Sequence, residues 1–77
     1  MNDARRKEIA NAITLLEGAK DLLEKCRDDE QEAFDNMSEG LQSSDRGQAI
    51  EANATSLGEA YDQVEEAINS LESIDNA

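Results

Sequence analysis

Ile50, Ala54, Leu57, Tyr61, Val64, Ile68 and Leu71 alternate steps of four and three residues without a break. That spacing lines up every one of these side chains along one edge of an α-helix, as the seam of a heptad pattern. A strand turns successive side chains to opposite faces and would scatter the same set across both. The chain contains no proline that could interrupt such a helix. The pattern predicts a helix over about residues 45–74, with Ser44 as its N-cap because a serine hydroxyl accepts from a free first-turn amide. Tyr61 lies in the seam and is expected to pack there.

A second helical pattern precedes it. Ile9, Ile13, Leu16, Leu23 and Cys26 form one stripe, Lys20 fills its gap, and Ala12, Leu15, Ala19 and Leu22 broaden one side. This predicts a helix over about residues 3–33 capped by Asn2. Cys26, the single cysteine, is expected in the core as a small apolar residue and excludes an internal disulfide. Residues 34–44 form an elbow in which Asn36, Ser38 and Gly40 favour turns. Phe34, Met37 and Leu41 are expected to fold back and plug the open end, and Ser38 can cap one helical turn over residues 39–42. The fold class that follows is all-α: an antiparallel helical hairpin with an ordered elbow, one domain over residues 1–77. The hairpin brings Arg5, Arg6 and Lys7 towards Glu72 and Asp75, which are expected to pair.

Charge is distributed very unevenly along the chain. Residues 1–27 carry six basic and five acidic side chains, whereas residues 28–77 carry Arg46 alone against fourteen acids. The formal net charge is −12. Such a field repels nucleic acid and attracts basic surfaces, so direct nucleic-acid binding is not expected. Arg5, Arg6 and Lys7 are not followed by an unbroken apolar stretch, and no apolar run approaches a membrane span. The expected location is the cytoplasm, with no membrane association.

Chemistry-bearing constellations are missing. The chain has no histidine, which removes the commonest general base and imidazole metal ligand. No nucleophile elbow, Ser-x-x-Lys pair or phosphate-cradling glycine loop accompanies its serines. The acidic cluster lacks the Asp-x-Asp-x-Asp-Gly order of a calcium loop. No enzymatic activity, metal or cofactor is expected.

Two surfaces remain as candidate sites. The first is acidic: Asp28, Asp29, Glu30, Glu32, Asp35 and Glu39 around the elbow, with Glu51, Asp62 and Glu65 along one flank of the second helix. Acids near a helix C-terminus oppose its dipole by about 0.3–1 kcal/mol each, so their placement there favours a role beyond stability. Its expected partner is a protein with a basic surface, since rigid carboxylates can stand in for phosphates. The second is uncharged: Ala49, Ala52, Ser56, Ala60, Gln63 and Ala67 on the other flank, where a solvated helix would ordinarily carry charge. With the broad stripe of the first helix, it is expected to self-associate into a homodimeric four-helix bundle. A structural or assembly role through that surface is the alternative function.

The elbow and its neighbours, Asp29-Glu30-Gln31-Glu32-Ala33-Phe34-Asp35-Asn36-Met37-Ser38-Glu39-Gly40-Leu41-Gln42 and then Ser44-Asp45-Arg46-Gly47, resemble a family of uncharacterised small acidic helical proteins of phages and mobile elements. The likeness runs through nearly the whole chain, from the basic start to a Glu-Ala-Ile helix, with Ser38 where the family carries proline. It implies no established activity. A phage setting implies an inhibitor of a host or defence protein, acting by binding.

Overall fold

The computed structural model describes residues 2–75 of the chain, with residue 75 described by its backbone. It is an antiparallel hairpin of two long helices, α1 (Asp3–Asp35) and α3 (Asp45–Asp75), joined through the single turn α2 (Glu39–Gln42). The molecule is a rod of 58 × 14 × 14 Å. α1 runs two residues beyond the expected end because Asn36 closes it, its amide donating to the Glu32 carbonyl at 3.0 Å.

Each helix start is capped by the side chain expected there. The Arg5 amide donates to Asn2 Oδ1 at 2.9 Å, the Leu41 amide to Ser38 Oγ at 3.4 Å, and the Gly47 amide to Ser44 Oγ at 3.2 Å. Each of these satisfies one amide that the first helical turn leaves free. Gly40 lies inside α2 rather than in a turn, and no described residue adopts a positive φ.

The elbow is ordered by polar bonds more than by an apolar plug. Gln42 Nε2 donates to the Phe34 carbonyl at 3.0 Å, tying α2 to the end of α1. Phe34 and Met37 are half-buried, but Leu41 is 55% exposed, contrary to expectation. The cause is a backbone contact: α2 lies against α3 through its own carbonyls, over the buried Gly47, which leaves the Leu41 side chain pointing outwards.

The seam of α3 follows the expected residues, with Ala54 and Ile68 buried and the others half-buried. On α1 Ile9, Ile13, Leu16, Lys20, Leu23, Arg27, Glu30 and Phe34 are half-buried in steps of four and three, and Ala12 and Ala19 beside them are half-buried too. Cys26 is therefore not a core residue; it is exposed. The heptad register steps from Leu23 to Arg27, and residue 26 falls beside the seam rather than in it. Arg5, Arg6, Lys7 and Glu72 are all exposed and form no ion pair among the described residues, where the pairs are Lys25–Asp29 and Arg27–Asp28. Exposed pairs gain too little to hold long side chains together. The side chain of Asp75 lies outside the described residues.

Candidate functional site

Three polar residues of α1 occupy seam positions, and α3 meets each of them. Lys20 Nζ and the Arg27 guanidinium sit 5.1 and 5.3 Å from the centre of the Tyr61 ring, within cation–π range. The aliphatic stem of Arg27 passes over Gly58, where an added Cβ would stand 3.6 Å from Arg27 Cδ. Asn53 Nδ2 donates to Glu30 at 3.5 Å across the pair. These contacts set the register of the hairpin. Partial burial lowers the Lys20 pKa, but the Tyr61 hydroxyl and the Glu65 and Asp21 carboxylates outweigh it and hold the group above an ordinary lysine.

The same contacts show which flanks share a side of the rod. Antiparallel packing along the two seams sets the Asp21 flank of α1 beside the Glu65 flank of α3, and both carboxylates act on Lys20 between them. Heptad register places Glu17, Asp21, Glu24, Asp28 and Asp35 of α1 there, with Glu51, Asp62, Glu65 and Glu72 of α3, while Asp3 and Lys7 share the face at the open end and offset each other in charge. These nine carboxylates spread over about 35 Å of axis at 1.5 Å per residue, or roughly one per 4 Å. That is less than half the density of a duplex and close to that of a single strand. Arg27 pairs with Asp28 at 3.2 Å, which reduces the field locally.

The nine acids expected to form one surface are thus divided. Asp28, Asp35, Glu51, Asp62 and Glu65 share the acidic face. Glu30 is half-buried in the seam. Asp29 projects from the other side of α1, held by Lys25 at 3.1 Å, and that hydrogen bond and charge raise the Lys25 pKa. Glu32 lies on the back of α1, and Glu39 belongs to α2. Helix pitch separates acids that are neighbours in sequence, since residues one or two apart do not share a face.

The opposite face of the rod is free of charge along most of its length. It carries Ala12, Leu15, Ala19, Leu22 and Cys26 of α1 beside Ser56, Ala60, Gln63, Ala67, Ser70 and Ile74 of α3. With 34% of the chain charged, about four charges would be expected among eleven such positions. Leu15 and Leu22 are 67% and 65% exposed, although they broaden the apolar stripe. Of the residues expected to self-associate, Ala49, Ser56, Ala60, Gln63 and Ala67 lie on this side, whereas Ala52 falls on the back of α3. An open groove of about 400 Å³, lined by Glu30, Asn53, Ser56 and Leu57, runs along the same side near the elbow.

Arg27 and Glu30 are the seam residues that the sequence reading passed over, ending the stripe at Cys26 instead. Their signal was present: continuing the four-three spacing of α1 past Leu23 reaches Arg27, Glu30 and Phe34, and leaves Leu15 and Leu22 outside. Among the described residues no group of His, Cys, Asp and Glu is arranged to hold a metal ion, and no helix is long and apolar enough to cross a membrane. No protein-family model, curated protein or solved structure matches the chain.

Proposed function

We propose that this chain is a non-enzymatic acidic binding protein whose carboxylate face docks on the basic surface of a partner protein. The observation that carries the reading is the gathering of nine acids onto one side of the 58 Å rod, with α1 and α3 both contributing. Their spacing suits a groove built for a single strand of phosphates better than one built for a duplex. The resemblance to small phage-borne acidic proteins makes an inhibitor of a nucleic-acid-binding host or defence protein the natural form of this role, exercised in the cytoplasm.

The test compares two variants that lose the same charge. One changes Asp28, Glu51, Asp62 and Glu65 to amides; the other changes Asp29, Glu32, Glu59 and Glu66, which lie off the acidic face. A basic partner captured from host lysate should elute at moderate salt and compete with single-stranded DNA. Its affinity should fall at least tenfold with the first variant and little with the second. Equal loss in both would reduce the acids to a general charge effect.

A second reading, a structural or assembly module, draws on a separate observation, the exposed leucines of the charge-free face. It requires that face to be covered, and neutralising the acids would then matter little.

A further inference from the structure

We propose that a second copy of this chain covers the charge-free face, giving a two-fold symmetric four-helix bundle with its acidic faces outwards. The inference is independent of any basic partner. Three observations support it.

The first is area. The chain exposes 5520 Å². A compact monomer of 8.4 kDa would expose roughly 4,600 Å², so the hairpin carries an excess of about 900 Å². A stable interface removes about 800 Å² from each partner. The deficit of one hairpin is the size of one such interface.

The second is charge. Two copies at −12 each repel, and most approaches bring carboxylates together. On the Leu15–Leu22 side α1 presents no charge from Ala12 to Cys26 and α3 none from Ser56 to Ser70. Nearer the elbow Asp29 is paired with Lys25 and Glu30 accepts from Asn53, so two copies can meet there without burying an unpaired acid.

The third is shape. The seam contacts of Lys20 and Arg27 with Tyr61 and of Glu30 with Asn53 put Leu22 level with residues 60–63 and Leu15 level with residues 67–70. Leu15 and Leu22 are seven residues apart, as are Ala60 and Ala67, so both pairs repeat every ~10.5 Å of axis. Turning a second copy by 180° about an axis parallel to the rod sets the leucines of each copy over the alanines of the other. Every helix then has antiparallel neighbours, and each large side chain meets a small one, as interdigitated packing requires.

Sedimentation equilibrium of the full chain at tens of micromolar, in moderate salt, should give the mass of two chains. Leu15→Asp with Leu22→Asp should halve that mass while circular dichroism stays helical, and Ala52→Glu on the back of α3 should leave it at two. A single-chain mass for the unmodified protein, or a two-chain mass for the double variant, overturns the proposal. If the double variant unfolds, the unmodified chain decides: its thermal midpoint must rise with protein concentration, and a constant midpoint overturns the dimer. Added salt should strengthen this association by screening the outward acids, whereas it weakens docking on a basic partner. The two readings therefore fail separately.

Discussion

A methyl group at position 47 would collide with the carbonyl oxygens of Leu41 and Gln42, because α2 lies directly over the first turn of α3. Neither obstacle can swing aside, since both are backbone and Leu41 O also accepts from the Ser44 hydroxyl and amide. Gly47→Ala should therefore destabilise the hairpin by about 1–3 kcal/mol, the usual cost of overpacking. Gly18 presents the opposite case: it is exposed on the back of α1 with nothing within 4 Å of an added Cβ. Gly18→Ala should stabilise by up to about 1 kcal/mol through helix propensity alone. Chemical denaturation of the two variants at one protein concentration should give midpoints displaced in opposite directions. Nothing in the sequence distinguished these glycines, because each sits in a run compatible with helix; the difference lies in what passes overhead.

At the scale of the elements, α1 and α3 meet along seams of unequal character. α3 supplies a nearly unbroken apolar edge, whereas α1 supplies Lys20, Arg27 and Glu30 in its middle and later turns. Polar residues at seam positions cost stability and specify alignment, and here two cations bracket one tyrosine ring. Tyr61→Leu retains an apolar side chain but removes both ring contacts, each worth about 0.5–1 kcal/mol. Its thermal midpoint should fall by several degrees at constant concentration. Lys20 adds a pH signature. Its pKa is raised above the ordinary 10.5 in the folded chain, so its contribution is complete below that value and is lost as pH rises through the folded one. Lys20→Met should lose less stability than the unmodified chain as pH rises above 10.5. The α3 seam could be read directly from spacing because its apolar residues never lapse. The α1 seam was misassigned at Cys26 because apolarity and register part company there, and register prevailed.

The whole molecule has two unlike long sides, and the sequence disclosed them only partly. It showed the asymmetry between the flanks of α3, since Glu51, Asp62 and Glu65 recur at helical spacing. It did not show which flank of α1 joins which flank of α3, because that follows from the hand of two antiparallel helices locked in one register. The elbow also governs how that register is reached. Gly47 meets carbonyls only five and six residues away in the chain, whereas Ile9 and Leu71, near the open end, are separated by sixty-two. Closing a loop costs entropy that grows with its length, so contacts beside the elbow form most readily and each makes the next loop shorter. The hairpin closes like a zipper whose slider starts at α2, and it opens from its termini. Amide hydrogen exchange should accordingly be slowest around residues 23–30 and 50–61 and fastest towards both chain ends, with Gly47→Ala flattening that gradient. The single turn that begins as a connector thus becomes the origin from which the alignment of both helices is counted.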